Sequence, residues 1–143
     1  MYDLEKITII IADMEKYFED MEKLGIRKIE DLDDIKNFYS VSMLLFAILN
    51  RAIDLGEEIV LSNNSEVPAT YKDIFRLLSK NKIIDKYMEK EISNLIFYRN
   101  LLAHEYFDIE NRDVFDVFER IGIIKNFADR IKSVIKEEIE KEK

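Results

Sequence analysis

Cysteine is absent from these 143 residues, and histidine occurs once. Without thiols the chain can form neither a disulfide nor a thiolate metal site. One imidazole plus carboxylates is also a poor set for structural zinc, which takes a tetrahedron of nitrogen and sulfur donors, so no metal is expected. A single proline and three glycines leave few obligatory breaks and no linker long enough to divide the chain. There is no glycine-rich phosphate loop, no nucleophile elbow and no pair of metal-binding histidines. No apolar run is expected to span a bilayer, and the acidic start Met1-Tyr2-Asp3-Leu4-Glu5 lacks the basic and apolar regions of a secretory signal. A cytoplasmic protein with no membrane association is therefore expected.

What is abundant is amphipathic, helix-forming sequence. Hydrophobic residues make up 48% of the chain and charged residues 36%, a balance suited to a folded helical domain rather than a disordered one. A chain of this length buries roughly two-thirds of its unfolded surface, enough for a real core. In residues 2–24, Leu4, Ile7, Ile11, Met14, Phe18 and Met21 recur at helical spacing and Gly25 is placed as a stop. After a connector at 26–32, a second helix is expected from about 33 to 61, with Phe38, Val41, Leu45, Ile48, Ala52, Leu55 and Ile59 on one stripe. Met43, Phe46 and Ile53 widen that stripe, so this helix should be the buried spine.

The turn-forming Asn63-Asn64-Ser65 and the sole Pro68 put a loop at 62–70. Thr70 with Asp73 approximates a cap for a short helix through 79, and 81–85 links it to a fourth helix at about 86–103. In that helix Met88, Ile92, Leu95, Ile96, Arg99 and Leu102 share a stripe. A last helix should begin at 111 or 113 and run to about 140, with Val114, Val117, Phe118, Ile121, Ile124, Ala128, Ile131 and Ile135 inward and a charged, fraying tail at 136–143. The expected architecture is all-α: one domain over residues 1–143, an up-and-down bundle of four to five helices.

The most informative window is Arg99-Asn100-Leu101-Leu102-Ala103-His104-Glu105-Tyr106. Histidine is the side chain whose ordinary pKa lies near neutrality. Arginine is a permanent cation whose fork of donors fits phosphate oxygens. Asparagine can orient a neighbour, and tyrosine offers a hydroxyl that can be modified. Taken alone, a lone histidine at a helix end is as well read as a cap or a satisfied polar group, and Tyr106 as an edge residue packing its ring. Arg51 and Asp54, three apart, make an ordinary helix-surface pair that can also line a cleft, and Glu105 can hold His104 in a useful tautomer. Asp108 and Glu110 read better as caps for the last helix than as a cation site.

Arg-x4-His-x-Tyr, with a polar residue directly after the arginine, resembles the signature of the HEPN superfamily and its HepT-like toxin branch. The segment from Val67 and Pro68 through Tyr71 to Phe75, followed by Leu77, Leu78, Ile83 and Ile84, is similar to that branch's Pro-x-x-Tyr element and short helix. Residues 47–60, with Arg51-Ala52-Ile53-Asp54-Leu55-Gly56, resemble its central helix, and Phe107-Asp108-Ile109-Glu110 its acidic turn. The resemblance implies a metal-independent endoribonuclease toxin that needs no cofactor and dimerises around the motif. It also implies a partner, an MNT-type nucleotidyltransferase antitoxin that adenylylates the motif tyrosine. On this chain Arg99 and His104 would be catalytic, Asn100 supporting, and Tyr106 the modification site. The alternative is a non-catalytic helical module that docks the nucleotidyltransferase.

Two features of the sequence resist that reading. The formal charge is −8, and a homodimer would carry twice that, −16, which opposes broad electrostatic capture of RNA. RNA would need a local basic cleft at Arg99, with Lys72, Lys80, Lys82, Arg112 and Arg120 as candidate neighbours; an acidic toxin also suits a more basic protein partner. Secondly, Arg99 sits on an apolar stripe, where a charge is costly without compensation. Arg99 and His104, five apart, point roughly 140° away from each other on a regular helix. Either the helix ends or bends between them, or a twofold dimer juxtaposes two copies of the motif.

Overall fold

Most of the helices begin where a short polar side chain takes up backbone N–H groups that a first turn leaves unpaired. In the computed structural model, which describes residues 1–63, 66–104 and 108–142, Asp3 accepts from the Lys6 N–H at 3.1 Å and α1 runs Leu4–Lys23. Gly25 closes α1 at φ +67°, a left-handed conformation that costs glycine little. A 3₁₀ turn, Ile29–Asp33, leads to Asp34, which caps α2 (Ile35–Ser62) through the Lys36 N–H at 2.9 Å. Thr70 caps α3 (Tyr71–Lys80) as expected, accepting from the Asp73 N–H at 3.1 Å. Asp85 does the same for α4 (Lys86–His104) through the Met88 N–H at 2.8 Å. At α5 (Asn111–Arg120), Glu110 occupies the cap position, and Asp113 reaches back to accept from its N–H at 2.9 Å.

The bundle is all-α, with no strand among the described residues. The C-terminal helix differs from expectation in one way. It is divided: α5 ends at Arg120 and α6 begins at Gly122, where an N–H of Ile124 bonds three residues back to the Ile121 carbonyl at 2.9 Å. That tighter turn lets α5 pack on the 3₁₀ turn and α2 while α6 packs on α2 and α4. The end of α6 at Glu142 lies close to the expected one near 140, and its charged last turns are built from Lys and Glu, good helix formers.

The spine is α2, which packs against α1, α3, α4, α5 and α6. Val41, Leu45, Leu49, Ala52, Leu55 and Ile59 are wholly buried along it. The expectation that no segment could span a bilayer needs correction, since α2 is long and apolar enough by length and composition. Here that apolarity is used for the core, which is why a central bundle helix passes the same test.

Gly56 on α2 lets α3 approach closely. A Cβ there would lie 2.7 Å from Ile74 Cγ2 and 3.4 Å from the Phe75 ring, both buried side chains with little room to move. Alanine would gain about 1 kcal/mol of helix propensity but overpack that contact. Gly56→Ala is therefore expected to lower stability by about 1–3 kcal/mol, read as a reduced urea midpoint. A midpoint at or above the parent's would refute the close packing.

Candidate active site

Arg99 is half-buried on the face of α4 turned towards α2 and α3. Its Nε–H donates to Asn50 Oδ1 at 2.8 Å, and Nη1 donates to Asn100 Oδ1 at 3.3 Å. The guanidinium carbon lies 5.3 Å from the Phe46 ring centroid and 5.1 Å from that of Tyr71. Two amide oxygens and two π faces thus compensate the charge, and no carboxylate pairs with it among the described residues. Neutral partners fix the fork in place without cancelling its field.

Tyr71 is supplied by the first turn of α3, which is firmly held. The Asp73 carboxylate accepts from the Ala69 N–H at 3.0 Å and from Arg76 Nε at 2.9 Å. The backbone donor first, then the guanidinium, hold that carboxyl below its ordinary value. On the other side of α4, the Tyr98 hydroxyl donates to Asp116 at 3.0 Å and fixes α4 against α5; burial, then that carboxylate, push the hydroxyl's pKa up. Between α2, α3 and α4 opens a cleft of ≈ 480 Å³ whose walls include Tyr71, Lys72 and Asn100.

His104 is the last residue of α4 and is exposed. The helix is continuous from Arg99 to His104, so the expected remedy of a break or bend between them does not occur. The two side chains remain roughly 140° apart within the chain. Asn100 and His104 instead share a face with Phe97, which is 56% exposed. Glu105 and Tyr106 lie outside the described residues.

Arg51 bonds Asp54 at 3.1 Å, as the spacing suggested, and also Asp13 on α1 at 2.9 Å. That pair faces α1 and is not gathered with Arg99. Among the candidate basic neighbours, Lys80 is tied to Glu66 at 2.9 Å, Arg112 to Glu110 at 3.0 Å and Arg120 to Asp116 at 3.2 Å. Lys82 sits in the turn after α3, with φ 61°; Lys72 is the one of these five that lines the cleft. Sequence reasoning missed Asn50 as a partner of Arg99. Its signal was a polar residue four positions after Phe46 on the broad apolar face of the spine.

The profile described as ribonuclease HepT-like matches residues 7–134, most of the chain. The chain belongs to the HepT-like ribonuclease family. No curated protein matches it. Its all-α fold is shared with several solved structures. One is the cytosolic protein of unknown function YutE from Bacillus subtilis, with 19% identity, a TM-score of 0.84, and 96% of this chain and 95% of that one covered. Another is a tri-AMPylated Shewanella oneidensis HEPN toxin in complex with its MNT antitoxin, with 22% identity, a TM-score of 0.82, and coverage of 93% and 99%. A third is a toxin–antitoxin with AMP-PNP, with 20% identity, a TM-score of 0.81, and coverage of 89% and 97%. At these identities the likeness of this HepT-like chain to its neighbours is one of fold.

Proposed function

We propose that this HepT-like chain is the endoribonuclease toxin of a cytoplasmic toxin–antitoxin pair, acting on RNA without a metal ion or other cofactor. The observation that carries the reading is the Arg99 guanidinium, locked by Asn50 and two rings yet without a counter-charge among the described residues, beside an open cleft. In the reaction a His104 imidazole takes the proton of a ribose 2′-hydroxyl, whose oxygen attacks the adjacent phosphorus. Arg99 stabilises the charge that builds on the phosphoryl oxygens, and a protonated imidazole gives its proton to the departing 5′-oxygen. Asn100 supports the guanidinium. DNA has no 2′-hydroxyl and survives.

The site is shared between two copies of the chain. An unbroken α4 cannot aim Arg99 and His104 at one phosphate, whereas a twofold pairing can, and it supplies a second histidine as acid. Exposed apolar side chains support such a pairing. Ile35, Tyr39 and Met43 are 65%, 55% and 69% exposed, and with Phe46 and Asn50 they fall within roughly 80° on α2, a stripe that leads to Arg99. Phe97 extends the surface on the face of α4 that carries His104.

An MNT-type nucleotidyltransferase is the antitoxin, and it adenylylates Tyr106. The neighbouring complexes named above supply the precedent. Each AMP adds bulk and a negative phosphodiester, repelling the substrate phosphate. Purified chain incubated with tRNA and messenger RNA in chelator is expected to yield 2′,3′-cyclic phosphate and 5′-hydroxyl ends. With partner and ATP, Tyr106 should gain mass in whole AMP units and cleavage should stop. Intact RNA, or cleavage that requires magnesium, would overturn the nuclease reading and leave a module that docks the nucleotidyltransferase.

A further inference from the structure

The cleft beside Arg99 holds more than a phosphate requires. Its floor is apolar, from Ile74 and Ile96, and one wall is the ring of Tyr71, 40% exposed. Four polar side chains stand around it, Glu57, Thr70, Lys72 and Asn100, of which the Thr70 hydroxyl already takes up the Asp73 N–H. Glu57 offers only acceptors and Lys72 only donors, while Asn100, with its Oδ1 engaged by Arg99, has its NH₂ left to donate. Tyr71 and Asn100 line the cleft and also touch Arg99, which puts the guanidinium one side chain behind its wall. A ribonucleotide has the matching layout, a flat aromatic base joined through its sugar to a phosphate. Aromatic walls are a common means of holding bases splayed from single-stranded RNA.

We propose that this cleft is the subsite for the base of the nucleotide bearing the scissile phosphate, and that it selects guanine. The inference rests on the ribonuclease reading for the class of its ligand. Guanine alone of the four bases presents two adjacent N–H donors, N1–H and the N2 amino group, to match the two oxygens of the Glu57 carboxylate. Its opposite edge carries O6 and N7, acceptors suited to Lys72 and to the Asn100 amide. Adenine and cytosine offer Glu57 one amino group each. Uracil offers one N–H flanked by two carbonyls, which the carboxylate repels.

The test is calorimetric titration of the four ribonucleoside 3′-monophosphates into the parent chain and into Glu57→Gln. The side chain of Glu57 is exposed and glutamine is nearly isosteric, so the variant should fold; a thermal melt checks this. Guanosine 3′-monophosphate is expected to bind the parent at least about tenfold more tightly than the uridine nucleotide. Glu57→Gln should erase most of that ratio. Equal affinity for all four, binding of none, or a guanine preference that survives Glu57→Gln would overturn the proposal. Because this readout needs no turnover, an inert parent chain that still selects guanosine would sink the nuclease reading alone. RNA cleavage without base bias would sink the subsite alone.

Discussion

His104→Ala is expected to cut the rate of RNA cleavage by roughly two to four orders of magnitude, the usual contribution of a general acid–base group. Two considerations make the effect large. The chain has no second histidine to substitute for the lost one, and in the twofold assembly proposed above the substitution removes the imidazole from both copies at once. Loss of fold does not confound the result, because His104 is exposed at the end of α4. Single-turnover cleavage of an end-labelled RNA is the measurement. A variant that cuts as fast as the parent would remove His104 from the chemistry.

Arg99→Lys is expected to lower the same rate by roughly 10²–10³, comparable to removing a preorganised donor from a developing oxyanion. Lysine keeps the positive charge, so the experiment separates charge from geometry. It lacks the in-plane Nε–H that donates to Asn50 at 2.8 Å, and it lacks the flat fork that lies between Phe46 and Tyr71. An ammonium there becomes a mobile point charge instead of an aimed pair of donors. Asn50→Asp is the companion variant. It preserves the shape of the contact but adds a counter-charge, and it should slow cleavage while leaving the melting behaviour close to that of the parent. If Arg99→Lys retained full activity, bulk charge alone would suffice and the clamp would be incidental.

Much of this architecture was legible in the amino-acid order. The stripe on α2 (apart from the exposed Met43), the stop at Gly25 and the Thr70 cap each follow from local rules, and each lies where those rules put it. The division at Gly122 did not follow. The apolar period runs through it, and only the packing of α5 on the 3₁₀ turn and α2 gives the break a purpose. At the site, the composition of the window gave Arg99, Asn100 and His104, and the five-residue spacing exposed the problem of aiming them. What compensates Arg99 could not be read, because Asn50 is 49 positions away and meets it only through the crossing of two helices. Conversely, Arg51 looked like a neighbour of the site but turns towards Asp13, since one residue along a helix rotates a side chain by roughly 100°.

The way Arg99 is held also sets how the protein should respond to its medium. Ring faces and amide oxygens contain no ion that dissolved salt can screen away, so brine does not loosen the grip on the guanidinium. A surplus of eight negative charges meanwhile repels a polyanion at a distance, and that repulsion weakens as ionic strength rises. Nucleases that coat RNA with lysine are stripped off under such conditions; one built around few cations, with Arg99 held by neutral partners among the described residues, should lose less of its activity.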